Sequence, residues 1–272
     1  MDYAIPFTIA PNVHNNAPSH KQRPNTQKAM QTLFKYINAK EGAKPKNGTK
    51  GVFGELLLHS LCQRMFNTTE LCCKIYFSEG RSQQLGFDLV HYREEDSTLW
   101  LGEAKCYSHF KRGIQEAFKS LNEHFEYNYL KNKEREAHTR GELAVISNYV
   151  ASGLPNYSYK SDVIEFLNKR SVDDIVKEVM VPILVISQHK SLSNHVEESE
   201  EFVKNFNQIH TENVAKLTTL LQETDPSIQK LNFQIMLLPV YKTDDLILKF
   251  EELVRNEAKA GIRNKSWYKE NE

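Results

Sequence analysis

The stretch GFDLVHYREEDSTLWLGEAKCY, residues 86–107, constrains the fold more than any other part of the chain. Two short apolar segments flank a charged turn, which is the pattern of a β-hairpin. If the turn is centred between Glu95 and Asp96, Asp88 lies directly opposite Glu103. Opposed side chains of an antiparallel pair share one face of the sheet, with their Cβ atoms about 5 Å apart. The sequence therefore predicts two neighbouring acids where packing would favour apolar residues.

Lys105 joins these two acids on the same face, because side chains alternate along a strand. Two carboxylates this close repel each other, and a hard divalent ion held by their oxygens removes the repulsion. A protonated lysine cannot bind the ion, but it can orient a water molecule or steady a phosphate. Together these groups form the apparatus that hydrolyses a phosphodiester. The alternative is a solvated surface contact, the usual meaning of an acid–lysine pair, although apolar neighbours flank both acids.

An Asp in one strand followed by Glu-x-Lys in the next resembles the PD-(D/E)xK nuclease superfamily, with GFD where the superfamily name has Pro-Asp. That superfamily also places a glutamate on the helix before the hairpin, and GVFGELLLHSL supplies Glu55. Glu55 could instead be a partly exposed first-turn acid favoured by the helix dipole. The runs GVFGELLLHSL, KIYF, GFDLVHY, LWLGEAKCY and IQEAFKSLNEHFEYNYL are further similar to the nuclease subunit (HamA type) of the Hachiman anti-phage defence system. This likeness is clear over about residues 50–150.

The resemblance implies a metal-dependent DNA endonuclease or nickase with little sequence preference, regulated by a superfamily 2 helicase. Glu55, Asp88 and Glu103 would hold Mg²⁺ or Mn²⁺, and Lys105 would be the catalytic lysine. Two functions of other kinds stay open at this point. One is a non-catalytic interaction subunit that keeps the nuclease fold, and the other is a stand-alone repair or restriction nuclease.

Residues on the helix after the hairpin are weaker candidates for contacts with substrate. Gln115 matches the glutamine that some superfamily members use there, and an ordinary surface glutamine is an equal alternative. Lys111 and Arg112 lie near the predicted site and are reasonable phosphate contacts. His59, one turn after Glu55, could hydrogen-bond it, whereas His91 is interpreted as structural.

Composition limits how the chain can meet its partners. It has 35 basic and 35 acidic residues, so the basic surplus of a protein that binds DNA indiscriminately is missing. No apolar run reaches the roughly 18 residues that span a bilayer, and the N-terminus does not resemble a signal peptide. We therefore expect a cytoplasmic protein without membrane contact. The four cysteines show neither zinc-ligand spacing nor a disulfide framework.

The order of elements predicts an α/β fold, a PD-(D/E)xK restriction-endonuclease-like core with a mixed central sheet flanked by helices. Residues 1–45 are expected to form an irregular arm with a short helix, and residues 46–272 a single nuclease domain with a C-terminal strand and helix extension. Besides the hairpin, strands are predicted at 71–77, 142–148, 179–187 and 231–240. Helices are predicted at 28–38, 52–66, 108–130, 197–222 and 243–261, with a Gly/Lys-rich linker at 39–51. Pro182 is expected to place its strand at a sheet edge or a bulge, Ser108 to cap its helix, and Gly261 to end the last helix.

Overall fold

The structure is a computed structural model that describes most of the chain. The described residues are 29–35, 37, 45–72, 86–125, 146–148, 150–151, 159–169, 174, 177–192, 199–226 and 228–269. The strands are β1 (Thr69–Cys72), β2 (Leu89–Arg93), β3 (Thr98–Tyr107), β4 (Met180–Gln188) and β5 (Asn232–Val240). The main helices are α1 (Pro45–Phe66), α2 (Phe110–His124), α3 (Lys160–Lys169), α4 (Glu200–Gln222) and α5 (Thr243–Lys269).

These strands form one mixed sheet in the order β1-β2-β3-β4-β5. The first three are antiparallel neighbours, whereas β3, β4 and β5 run parallel to one another. In the hairpin, Leu89 pairs with Gly102 and Arg93 with Thr98. This is the predicted register. The five-stranded sheet with both antiparallel and parallel pairs confirms the predicted α/β class and mixed sheet.

Helices cover both faces of the sheet, and the strands alternate their side chains between two cores. On one face, β-strand residues such as Leu101 and Val185 pack with α2, which contributes Ile114 and Phe118. On the other face, alternate residues including Trp100 and Leu184 pack with Leu58 and Cys62 of α1. This alternation follows from the two-residue period of a strand, and it produces a sheet buried on both sides.

The central position of β4 contradicts the prediction made from its proline. Pro182 lies in a strand with partners on both sides, β3 and β5, and not at an edge. The neighbour that accommodates it is Gly102, where an added Cβ would lie 2.7 Å from Pro182 Cγ and 3.0 Å from its carbonyl oxygen. A glycine beside the ring provides steric room for it, although proline still lacks the N–H that a central strand normally donates to its neighbour.

Helix boundaries differ from the predictions in several places, and α3 was not predicted at all; α2 ends at His124 instead of 130. Helix α1 begins at Pro45, inside the predicted linker, because proline suits the first turn of a helix, where its missing N–H is not needed. Ser108 does not cap α2, whose N-cap position is His109 without a side-chain bond. Helix α5 continues through Gly261 to Lys269, since one glycine costs a helix only about 1 kcal/mol relative to alanine.

The remaining predictions have mixed outcomes. The strand predicted at 142–148 is wrong over its described part, because residues 146–148 are helical and Ile146 packs in the core beside α2. The strand predicted at 71–77 begins at Thr69, and its part after Cys72 lies outside the described residues. Helical residues 29–35 pack through Met30 and Leu33 against α1 and α5, so this segment is joined to the domain. None of the described helices has the length and apolar character of a bilayer-spanning segment.

Candidate active site

The predicted site lies where β3 extends beyond the end of its antiparallel partner, β2. Residues Thr98–Gly102 of β3 pair with β2, whereas the last five residues, from Glu103 to Tyr107, pair among the described strands with β4 alone. Within the part of the chain that the structure describes, one edge of β3 is therefore open beyond Gly102. The residues just before β2, including Asp88, lie at the start of this open edge.

Asp88 is fixed to β3 by two hydrogen bonds. Its backbone N–H donates to the Gly102 carbonyl at 2.9 Å, and its Oδ2 accepts from the Ala104 N–H at 2.9 Å. The carboxylate is only 6% exposed. A charge-assisted bond of this kind sets the position of the carboxylate relative to the open end of β3.

Glu103 and Lys105 face helix α2. Lys105 Nζ forms an ion pair with Glu103 Oε1 and donates to Ser120 Oγ at 3.0 Å. His124 Nδ1 lies 3.8 Å from Glu103 Oε2. Glu103 is 2% exposed, so the alternative of a solvated surface pair is wrong for it. Its charge is held in the interior by a lysine that is itself fixed to α2.

Glu55 reaches the same region from α1 on the opposite side of the sheet. Helix α1 lies close to β3 there: a Cβ added at Gly54 would lie 3.3 Å from the Ala104 Cβ. Glu55 is 5% exposed and lies well inside a helix that starts at Pro45. The alternative of a partly exposed first-turn acid is therefore wrong.

These residues surround a cleft of about 480 Å³ at the open end of β3, which we call the β3 cleft. It is lined by Lys50, Gly51, Glu55, Asp88, Ala104, Lys105, Cys106, Tyr107, Ser108 and Arg112. Glu103 lies behind this lining, in contact with Lys105. The structure thus brings Glu55, Asp88 and Lys105 to one concave surface.

Two cations beside the acids complete the cleft, and sequence reasoning identified only one of them. Arg112 lies in the first turn of α2, with its guanidinium 5.5 Å from the centre of the Tyr107 ring. Lys50 lies in the stretch predicted from the sequence to be a linker. Its Nζ forms an ion pair with Asp244 Oδ1 of α5 at 2.6 Å. Both are placed to contact a phosphate that enters the cleft.

The two other candidates for substrate contact lie outside the β3 cleft. Lys111 is exposed in the first turn of α2 and does not line the cleft. Gln115 lines a second depression of about 280 Å³, together with Lys119 and the end of α4. Their roles stay predictions.

Cysteine chemistry is disfavoured in the cleft. Burial raises the pKa of the Cys106 thiol to about 11, and Asp244 adds to this effect while Lys50 opposes it. At neutral pH the group is a thiol, and a thiol is neither an effective nucleophile nor a good metal ligand.

A buried group that the sequence did not reveal lies between α1, β1 and β2. His59 Nε2 is 3.0 Å from the Asp88 carbonyl oxygen, and His59 Nδ1 is 2.8 Å from His91 Nε2. His91 Nδ1 is in turn 2.7 Å from Thr68 Oγ1. Glu70 is adjacent, because it pairs with His91 across the two strands. These residues come from three elements, so no local pattern indicates their proximity.

A family model of HamA matches residues 2–254 of the chain. The chain belongs to the HamA family. This match confirms the resemblance to the HamA-type subunit, though not the one to the PD-(D/E)xK superfamily, and makes the chain a Hachiman anti-phage defence subunit. No curated protein and no solved structure matches the chain.

The side chains around the β3 cleft of this HamA-family chain suit a hard divalent cation. Two buried carboxylates, Glu55 and Asp88, line the cleft with Lys105, and Glu103 contacts the lining through Lys105. Carboxylate oxygens are the ligands that Mg²⁺ and Mn²⁺ prefer, and the Cys106 thiol in the lining is protonated. Among the described residues, however, these three carboxylates do not form a group of ligand atoms within 4.8 Å of one another.

Proposed function

We propose that this HamA-family protein is a metal-dependent deoxyribonuclease that nicks or cleaves DNA with little sequence preference. It is the effector of its defence system, acts in the cytoplasm, and is regulated by a superfamily 2 helicase. Its core is of the PD-(D/E)xK type. The observation that carries the proposal is the β3 cleft, where Glu55 and Asp88 meet Lys105.

Each side chain has a role in this proposal. Glu55, Asp88 and Glu103 would hold Mg²⁺ or Mn²⁺, and the bound ion would supply Lewis acidity and activate water. Lys105 is oriented by Glu103 and Ser120, so that its ammonium group orients the attacking water or steadies the phosphate as negative charge develops.

Substrate binding in this proposal depends on the phosphate backbone of DNA. Arg112 and Lys50 contact phosphates at the cleft, and such contacts position a duplex without reading its sequence. The overall charge of zero gives weak affinity for intact DNA, which suits a nuclease that a partner must deliver or release.

A nicking assay on supercoiled plasmid with Mg²⁺ or Mn²⁺ tests the proposal. Glu103→Gln and Lys105→Met each lower the nicking rate by about 100-fold or more, the usual cost of losing a group that acts in the chemical step. Glu95→Gln, in the exposed hairpin turn, and Lys177→Met, on the surface, are matched controls that keep the wild-type rate. Circular dichroism verifies that all four variants fold. Undiminished nicking by both folded site variants would refute the assignment.

A further inference from the structure

The buried group formed by His59, Glu70 and His91, which we call the histidine cluster, shares no residue with the lining of the β3 cleft and touches it only where His59 Nε2 lies 3.0 Å from the Asp88 carbonyl oxygen. Its members are 1%, 2% and 0% exposed, so none of them contacts solvent appreciably. One ligand atom from each lies within 4.8 Å of the other two. Two imidazoles and a carboxylate enclosed together in a protein core require a physical explanation.

We propose that the histidine cluster binds a transition-metal ion, for which Zn²⁺ is the best fit. The inner nitrogens, His59 Nδ1 and His91 Nε2, already face each other at 2.8 Å. In a tetrahedral zinc site two nitrogens at about 2.0–2.1 Å from the ion are roughly 3.3 Å apart. An outward movement of about 0.5 Å therefore opens the position, and a Glu70 oxygen supplies a third ligand.

The outer nitrogens have the partners that metal-bound histidines usually have. His59 Nε2 lies 3.0 Å from the Asp88 carbonyl, and His91 Nδ1 lies 2.7 Å from Thr68 Oγ1. A ligating histidine almost always donates its other N–H to an oxygen of this kind, which sets its tautomer and orientation. The His59 ring is already held in this way, and His91 Nδ1 has Thr68 Oγ1 in place to accept its proton once that proton lies on Nδ1.

The protons of the cluster can be assigned from these contacts. A carbonyl oxygen only accepts, so His59 Nε2 carries a hydrogen and its Nδ1 presents a lone pair inward. When an ion binds, the His91 proton moves to Nδ1 and is donated to Thr68, so no net proton is gained or lost by the imidazoles.

The donor set distinguishes this centre from the one proposed in the β3 cleft. Two imidazole nitrogens and one carboxylate oxygen suit zinc, whereas Mg²⁺ prefers oxygen ligands alone. The Glu70 carboxylate also offsets the charge of a divalent ion in an otherwise apolar interior. Three protein ligands leave one tetrahedral position for a water molecule.

Metal analysis of the intact chain tests the proposal without any assay of activity. Protein purified from zinc-supplemented medium contains about one zinc ion per chain by mass spectrometry, and Co²⁺ in its place produces the visible absorption of a tetrahedral site. Glu70→Gln and His91→Gln lose most of this metal. The matched controls Glu103→Gln and His189→Gln, which alter an acid and a histidine outside the cluster, keep it.

Wild-type protein that takes up no stoichiometric zinc or cobalt would overturn the proposal, and so would full zinc retention in both cluster variants. The zinc and cobalt content of the wild-type protein can still refute the proposal if a cluster variant does not fold. The result is also independent of the nuclease proposal, because Glu103→Gln is expected to keep its zinc while losing nicking.

Discussion

Asp88 is tied to β3 through both its backbone and its side chain. Its backbone N–H donates a hydrogen bond to the Gly102 carbonyl oxygen, and its Oδ2 accepts one from the Ala104 N–H, each with a donor–acceptor distance of 2.9 Å. The same residue lines the β3 cleft. Its structural and its proposed chemical contributions can therefore be separated by two substitutions.

We predict different outcomes for Asp88→Asn and Asp88→Ala. The amide oxygen of asparagine still accepts from Ala104, so Asp88→Asn keeps the wild-type free energy of unfolding in metal-free buffer. Alanine leaves the buried Ala104 N–H without this acceptor and costs about 1–3 kcal/mol. Urea denaturation measures the difference, and both variants lose nicking because the negative charge is gone. Equal stability of the two variants would show that the hydrogen bond to Ala104 does not stabilise the fold.

The sequence identified the residues of the β3 cleft better than it identified their neighbours. The two-residue period of a strand and the position of one turn were enough to predict the register in which Leu89 pairs with Gly102, although the ladder ends there and does not include Asp88 and Glu103. Ser120 and Lys50 were not found, because their proximity to the cleft depends on how α2 and α1 pack on the sheet. The histidine cluster was missed for the same reason.

At the scale of elements, the contact between β3 and β4 depends on one small residue. A Cβ at Gly102 would lie 2.7 Å from Pro182 Cγ and 3.2 Å from Leu58 Cδ2. There is no flexible side-chain end on the proline ring that could move away. The pairing of these two central strands therefore requires glycine at this position.

We predict that Gly102→Ala lowers the free energy of unfolding by about 1–3 kcal/mol, the usual cost of overpacking a core. Pro182→Ala in the same chain removes the ring and restores part of the loss, which a double-mutant cycle in urea measures. Gly51→Ala is the control, since its Cβ would meet nothing nearer than 3.9 Å, and it stabilises the helix by about 1 kcal/mol. Wild-type stability of Gly102→Ala would contradict the close contact.

Elements with a strong period were predictable, whereas those set by context were not. The apolar spacing of α2 and the alternation in the hairpin predicted both elements and their buried faces. A short apolar run such as ELAVISN fits a strand and a buried helix equally, and helical residues 146–148 pack beside α2. The prediction that Pro182 lies in an edge strand or a bulge was wrong because its central position depends on Gly102, which is 80 residues away in the chain.

At the scale of the whole molecule, membership of the HamA family makes the chain part of a defence system. The superfamily 2 helicase partner is our proposal; the resemblance in the sequence implies it, and the zero net charge of the chain is compatible with it. We predict that the chain and the superfamily 2 helicase subunit of its system elute together when co-expressed and sized. Glu103→Gln elutes with the helicase as well, because it alters a buried acid and not a surface. Separate elution of the wild-type chains would contradict regulation by a stable complex.

Anomalous diffraction from crystals soaked in Mn²⁺ tests the central claim, that carboxylates from α1, the start of β2 and β3 hold a divalent cation at the open end of β3. We predict a manganese peak in the β3 cleft within bonding distance of Glu55, Asp88 and Glu103, and no such peak in crystals of Glu103→Gln. A wild-type map without a peak in the cleft, at Mn²⁺ concentrations that support nicking, would contradict it.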